Sequence, residues 1–431
     1  MLDFTIYSIH NQFNIDNMIN LYIFIESSID AYGTGTYIRE LTAILKNGKI
    51  NVCIIHLYSD QQDKEVLKVE YDNVKHYHIP SPTNRNSLLD RDLQRTLYYQ
   101  NVVYLLRLWI DDKKNLIFHL NATPSCVLAK ELKRVFACTI IRTIHELWWC
   151  YNLSGNITLF KKILASKTIV QNDLIKKSVI ELYLKDKEFF ETVDHIICLS
   201  ENTRQILQDD YQIESGKLTV IYNGLPNNNS VPDKSVLRHK YHIPNIPIIL
   251  FVGRLHDIKG LTQALRAFKI VLATQPQCHF IIAGHGTFDV YMKECEDIWM
   301  HVTWTGLIDK DKLYDLYSIA DIGIMPSFHE QCSYVAIEMM MHGVPLIAST
   351  STGLCEMVEN GDTGLHIPVI EYDNRVEIDT SLFAEKMLFL LQNSQERERM
   401  GVNARRRYEM VYSSEIFRQN MLNFYQSFFA E

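Results

Sequence analysis

Glycine and proline are scarce in this chain, with 17 and 11 copies in 431 residues. That scarcity excludes long flexible linkers and low-complexity tails, which draw heavily on both. Long apolar runs are missing as well. The most hydrophobic internal stretch, Val102–Ile110, is interrupted by Arg107 and falls far short of the roughly 20 residues that cross a bilayer. It reads as a buried helix. Residues Met1–Ile6 show no basic segment leading into an apolar one, so no signal peptide is expected. A positive net charge is also absent: 43 Lys and Arg against 51 Asp and Glu give −8. A general nucleic-acid binder needs a basic face, so that class is excluded, although a local basic pocket for a phosphorylated small molecule is not. The nine cysteines are odd in number, with no C-x-x-C and no Cys/His cluster at zinc-ligand spacing. They are expected to be reduced and the chain cytoplasmic, in which case the sequons at Asn121, Asn152, Asn156 and Asn228 carry no glycan.

What is present is a globular composition, 47% hydrophobic and 22% charged, in a chain long enough for two domains of ~200 residues. Short β-branched and aromatic runs alternate with helix-sized segments, the pattern of parallel sheets covered on both faces. In the first half, strands are predicted at Leu21–Ile25, Asn51–Leu57, Leu116–Leu120, Thr139–Ile144 and His195–Ser200, with a Gly33-Thr-Gly35 turn leading into a helix from Tyr37. Residues 1–18 take no assignment. In the second half, five strands are predicted at Ile246–Gly253, His279–Ala283, Val302–Trp304, Asp321–Met325 and Val344–Ala348. The fold class is α/β, two doubly wound parallel-sheet domains facing a cleft. Boundaries are placed at 1–226 and 227–410, with a polar hinge at Asn223–Asp233. Residues 411–431 are read as a C-terminal amphipathic helix packing back on the first domain. A ligand is expected in the cleft, at the carboxyl ends of the strands.

Two segments carry chemistry. In Phe251-Val-Gly253-Arg254-Leu-His-Asp-Ile-Lys259-Gly260 a strand ends at a glycine that permits close backbone approach, and two cations follow before a helix begins. A planar guanidinium and a point-charge ammonium suit a pyrophosphate, aided by the helix N-terminus. The alternative is a surface loop with two solvated cations. In Glu330-Gln-Cys332-Ser333-Tyr-Val-Ala-Ile-Glu338 two acids stand eight positions apart, which would share a face if the stretch were helical throughout. Glu330 is expected in the cleft, and the amides near Cys332 and Ser333 could point at a phosphate. Such a pair can equally be a solvated helix face.

Together with Ala283-Gly-His-Gly286, Gly306-Leu-Ile, Gly343-Val-Pro and the hinge sequence Val220-Ile-Tyr-Asn-Gly224, these motifs resemble glycosyltransferase family 4, whose architecture is GT-B, two Rossmann-like domains. The resemblance covers nearly the whole chain after Leu21. It implies a retaining, metal-independent transfer with no cofactor beyond a nucleotide-sugar co-substrate. It further implies that Arg254 and Lys259 hold the donor diphosphate and that Glu338 binds the ribose. Glu330 would contact the transferred sugar, and the Leu307-Ile308 backbone would hold the base. The Gly33-Thr-Gly35 turn would approach the phosphate, and His145, in Thr143-Ile-His145-Glu, would reach the donor sugar near its reacting carbon. One departure stands out: Gln331-Cys332-Ser333 replaces the Gly-Phe-Gly of many relatives, so the sugar is not transferable from them.

Competing readings remain at this stage. Asp-x-Asp occurs at Asp90 and Asp309, each threaded with a cation, and is read as solvated surface rather than a metal site. An NAD-binding protein would need G-x-G-x-x-G after a strand, which neither Gly33-Thr-Gly35 nor Gly284-His-Gly286 continues into. A binding-only sugar-nucleotide sensor is the other alternative. The donor is taken to be a UDP-sugar of hexosyl or N-acetylhexosaminyl type. The acceptor is open among a glycan, a lipid-linked intermediate, a peptide and a small molecule. Its wall is placed in Trp148–Phe190, whose Lys-rich part, 158–190, could touch an anionic membrane from the cytoplasmic side or simply be solvated.

Overall fold

The computed structural model describes residues 18–26, 33–46, 50–59, 65–81, 90–121, 126–166, 173–227 and 233–429. Residues 1–17 and the middle of the hinge segment, 228–232, lie outside the described residues.

The N-terminal half builds one eight-stranded sheet from β1 (Ile19–Glu26), β2 (Ile50–Ser59), β3 (Leu67–Tyr71), β4 (Val74–Pro80), β5 (Leu116–Asn121), β6 (Cys138–Ile144), β7 (His195–Cys198) and β8 (Leu218–Val220), in the order β3-β4-β2-β1-β5-β6-β7-β8. The strand INLYIFIE is buried along nearly its whole length because helices cover both faces of a parallel sheet. It lies between β2 and β5, with Ile23 level with Ile54 and His119. Only β3 runs antiparallel. It joins β4 through Asp72 and Asn73, both at positive φ (56° and 60°), as a two-residue hairpin turn requires. The sequence reading did not assign this hairpin or β8. Leu67–Tyr71 is almost wholly exposed, so it lacks the buried alternation that marks a strand.

The C-terminal half builds six parallel strands, β9 (Ile248–Val252), β10 (His279–Ala283), β11 (Val302–Gly306), β12 (Ile322–Met325), β13 (Leu346–Ser349) and β14 (Gly364–Ile367), in the order β11-β10-β9-β12-β13-β14. This is one strand more than predicted, because β14 has only four residues and starts on a glycine. Both sheets reverse strand order beside their first strand, between β1 and β5 and between β9 and β12. Crevices at such reversals are where open α/β sheets bind ligands.

The C-terminal helix, Ser414–Gln426, lies against helix Gly33–Leu45 of the N-terminal half: Arg418 Nε donates to the Ile44 carbonyl at 3.2 Å, and Tyr425 Oη sits 2.7 Å from His119 Nδ1. Its start is stitched to the first crossing between halves, with Ser414 N on Leu225 O at 2.8 Å and Leu225 N on Tyr412 O at 3.0 Å.

Candidate functional site

The crevice of the C-terminal sheet opens between β9 and β12. After β9 the chain passes Gly253 and Arg254, makes a single 3-10 turn at Asp257–Lys259, and enters helix Leu261–Thr274. Gly260 between them sits at φ +70°, and a Cβ there would lie 2.0 Å from the Pro326 carbonyl oxygen. No other residue permits that approach. The approach brings the two strand-end loops together, with Phe328 N donating to Ile258 O at 2.8 Å. Lys259 Nζ consequently meets Glu330 Oε1 at 2.5 Å, their side chains only 18% and 13% exposed. Ser327 Oγ donates to the same carboxylate oxygen at 3.0 Å. Gly353 N anchors the Glu330 carbonyl at 2.9 Å. Arg254 reaches across the cleft, donating from Nη2 to Tyr151 Oη at 3.1 Å.

The two glutamates do not share a helix face. The helix begins at Tyr334, with Ser333 as its cap accepting from Ala336 N, so Glu330 belongs to the preceding loop. Residues 331 and 332 are held out of the helix by the N-terminal half: Ser200 and Thr203 donate their hydroxyls to Gln331 Oε1, and Asn223 Nδ2 donates to Cys332 O at 2.7 Å. The Ser333 amide is directed at Met357 Sδ, 3.2 Å away, rather than towards a phosphate in the cleft. Glu338 accepts from Tyr317 Oη at 2.8 Å. Burial raises its pKa, against a lowering pull from Tyr317 and Lys310. Lys310 opens the helix after the Leu307-Ile308 rim, where Leu307 is 78% exposed and Ile308 half-buried.

On the opposite wall Gly33, Thr34 and Gly35 are the first turn of helix Gly33–Leu45 rather than a separate turn, where amides lack intrahelical acceptors in any case. A Cβ on Gly33 would lie 3.9 Å from the Tyr334 ring, so two helix starts confront each other across the cleft. His145 follows β6. Its Nε2 is 2.8 Å from Asn121 Oδ1, and its ring stands edge-on to Tyr37 with centroids 4.8 Å apart. Burial, then Arg142, pushes its pKa down to about 3. The imidazole is therefore neutral near pH 7, and an Nε2–H directed at the Asn121 carbonyl leaves the lone pair on Nδ1.

Neither motif pointed to Glu146, Cys150, Tyr151 or His329, which join the halves beside this site. His329 Nε2 lies 2.5 Å from Glu146 Oε1. Burial opposes a charge there, but Cys150 and Glu146 outweigh it and hold the pKa well above the ordinary value. The available signal was adjacency, since Glu146 follows His145 and His329 precedes Glu330. Glu26, at the end of β1, was also missed; burial pushes it up to about 7 against the pull of Arg95. The Asp-x-Asp acids sit at helix starts: Asp90 caps Leu93 N at 2.7 Å, and Asp309, 81% exposed, precedes helix Lys310–Ile319.

In the Trp148–Phe190 segment, helix Ile157–Ala165 binds the other half through its N-terminus, where both Glu371 oxygens accept from Ile157 N and Thr158 N. Its lysines are engaged too, Lys161 with Asp210 at 3.6 Å and Lys162 with Asp373. Residues 167–172 lie outside the described residues. Among the described residues no helix is long and apolar enough to cross a membrane.

Two family models divide the chain between them: "Glycosyltransferase Family 4" matches residues 31–228 and "Glycosyl transferases group 1" matches 233–407. The capsular polysaccharide biosynthesis glycosyltransferase CapM of Staphylococcus aureus is 25% identical over 258 residues, 58% of this chain and 66% of CapM, just under two thirds of it. Sucrose-phosphate synthase from Thermosynechococcus elongatus superposes with a TM-score of 0.70 at 21% identity, over 95% of this chain and 99% of that one. HepE of Anabaena in complex with UDP-glucose superposes at 0.67 with 14% identity, over 95% and 100%. The fold is thus the GT-B architecture that the motifs implied.

Proposed function

The chain belongs to the group 1, family 4 glycosyltransferases, and from that premise we propose that it transfers a sugar from a nucleotide diphosphate donor to an acceptor hydroxyl, retaining configuration and using no divalent metal. The observation that carries this reading is the Lys259–Glu330 pair at the strand-order reversal, with Arg254 beside it. A mostly buried ion pair in a ligand-binding crevice is a preformed site for a polyanion bearing hydroxyls. An arriving diphosphate exchanges places with the Glu330 carboxylate on Lys259, which turns Glu330 towards the sugar. In the transfer the bond from C1 to the diphosphate oxygen breaks with its electron pair on the diphosphate, where Arg254 and Lys259 stabilise it. The acceptor oxygen bonds to C1 on the same face, and its proton passes to the departing diphosphate oxygen. His145 is too weak a base at about 3 to take that proton; it orients the sugar.

Glu338 serves the ribose, and the Leu307-Ile308 backbone the base. A UDP-sugar is the preferred donor because HepE, of the same architecture, holds UDP-glucose. Whether a hexose or an N-acetylhexosamine is moved is read from the products. The acceptor wall is the segment 148–190, and exposed Leu174 and Ile175, at 79% and 57%, beside Lys177 suit peripheral contact with a cytoplasmic membrane face carrying a lipid-linked acceptor.

The test is release of nucleoside diphosphate from a panel of UDP-, GDP-, ADP- and dTDP-sugars, with mass spectrometry of products over an acceptor library including lipid-linked glycans. Turnover of at least one donor, abolished by Lys259→Ala, is expected. Binding of a donor with no hydrolysis and no transfer would instead make the protein a sensor. Equal turnover in Lys259→Ala would remove the diphosphate assignment.

A further inference from the structure

Three histidines that the transfer reaction leaves unused lie side by side on the N-terminal sheet. His76 and His78 stand two apart on β4 and so project to one face. His56 on β2 is level with His78 in the parallel register. His56 and His76 are buried and His78 half-buried. The rings stack nearly parallel, with His56 centroids 4.2 Å from His78 and 5.3 Å from His76. One ring nitrogen from each lies within 4.8 Å of the others.

The hydrogen bonding at this cluster is over-subscribed. His76 Nδ1 lies 3.0 Å from His56 Nε2 and 2.8 Å from the Tyr71 hydroxyl. A neutral ring nitrogen offers either one lone pair or one hydrogen, so at most one of those contacts is a full hydrogen bond. An ion that accepts one lone pair from each ring would relieve this conflict. Two nitrogens on one tetrahedral ion with bonds of roughly 2.0–2.1 Å lie about 3.3 Å apart, and 3.0 Å is close to that spacing. An imidazole pair two apart on one strand with a third across the ladder, all on rigid sheet, needs only ring rotation to converge.

We propose that His56, His76 and His78 form a zinc-class divalent metal site, with the Tyr71 oxygen or a water as fourth ligand. Three neutral imidazoles select borderline transition metals over calcium or magnesium. The ion ties the edge hairpin β3–β4 to β2. The donor crevice lies in the other sheet and keeps its metal-free chemistry.

The experiment starts from the full chain freed of metal by a chelator and then dialysed. Titration with Zn2+ by calorimetry is expected to show one tight equivalent and a raised Tm. X-ray absorption at the zinc edge is expected to show three imidazole nitrogens, an oxygen and no sulfur. His76→Gln and His56→Gln should each weaken Zn2+ by more than the roughly 10–100-fold that loss of an outer-shell partner costs, while Cys150→Ser leaves it unchanged. No stoichiometric uptake, sulfur in the shell, or affinity surviving both histidine variants overturns the site; sulfur would instead mark the Glu146, Cys150, His329 group. Should the variants fail to fold, the wild-type absorption spectrum decides alone.

Discussion

Where the C-terminal half meets the cleft its polar groups are charged and paired, Lys259 with Glu330 and Arg254 with the Tyr151 hydroxyl. Where the N-terminal half meets it, the groups around His145 are neutral, with His145 on Asn121 and behind it His119 between Thr143 and Tyr425, while the Glu146 carboxylate is turned to His329. On the proposed transfer this contrast divides the work. Charge balance for a departing diphosphate needs cations held ready in a shielded place, and Arg254 and Lys259 of the C-terminal wall are placed to supply them. A neutral wall can face the sugar and exclude water without competing for those cations. It also makes the halves respond differently to substitution and to pH.

The largest effect is expected at the charged wall. Arg254→Ala and Lys259→Ala should each lower kcat by about 30- to 1000-fold, the equivalent of roughly 2–4 kcal/mol of transition-state stabilisation. The Lys259→Ala, Glu330→Gln double variant separates catalysis from the cost of a carboxylate left unpaired, and steady-state kinetics beside thermal melts reads both. If turnover in the double variant returns to wild type, the cation's role was structural.

Next come the two glutamates, which should fail differently. Glu338→Ala should weaken free nucleoside diphosphate by roughly 1–3 kcal/mol, through loss of acceptors for ribose hydroxyls. Glu330→Ala should leave that affinity nearly intact and lower transfer. Calorimetry set against kinetics tests the split, and equal losses of nucleotide affinity would reverse the orientation of the donor.

Acid should act through buried histidines of the N-terminal half. His56, His119 and His145 are pushed down to about 3 and His76 to about 4. Their folded values lie below the unfolded one near 6.5, so as pH falls the unfolded chain takes up protons first. Their stabilisation is full above about 6.5 and is lost progressively below it, at roughly 1.4 kcal/mol per pH unit for a fully buried ring such as His119. Glu26 and Asp186, pushed up to about 7 and about 6, act oppositely. Their folded values exceed the unfolded ones, so their contribution is present at low pH and lost as pH rises. Because the four lowered rings all sit in the N-terminal half, that half should unfold first as pH falls from 6.5 to 4.5, read as a drop in its urea midpoint in metal-free protein. Constant midpoints over that range would mean that the rings are not held neutral.

The smallest effect is expected from chelation. Initial turnover in excess EDTA should stay within about twofold if, as proposed, Arg254 and Lys259 take the role of a metal at the phosphates. Loss of the ion at His56 should lower Tm and leave initial rates alone. Abolition of transfer, restored by manganese, would put a metal in the donor crevice.

The charged wall was legible because each of its loops follows a predicted strand end: Arg254 and Lys259 come after Gly253, and Glu330 comes four residues after Pro326. The long buried strands were legible through their apolar runs. The β3–β4 hairpin was not, because Leu67–Tyr71 faces water. The helix start was read around Cys332 and Ser333, close to the observed Ser333 cap and Tyr334 start, but what fixes it was not. Local spacing allowed a continuous helix from Glu330, and it took Ser200, Thr203 and Asn223 of the other half to hold residues 331 and 332 out of it. The first turn at Gly33 was read as a loop because glycine is a poor helix former, an intrinsic cost that does not apply where amides have no helical acceptor.

By itself, then, the sequence determined the alternation of strands and helices, the two sheets and the cation and carboxylate loops, because apolar periodicity and strand-end turns are local properties. Only the tertiary structure decided what meets what. The Lys259–Glu330 pair exists because Gly260 lets two loops touch. The Glu146, Cys150 and His329 group exists because two halves close on each other. The pair His76 and His78, two apart, is visible in the sequence, but its meeting with His56 is not: parallel pairing sets two strands 20 or more residues apart level with one another. Contacts of that kind are fixed by strand register and domain approach, and no local pattern along the chain encodes either.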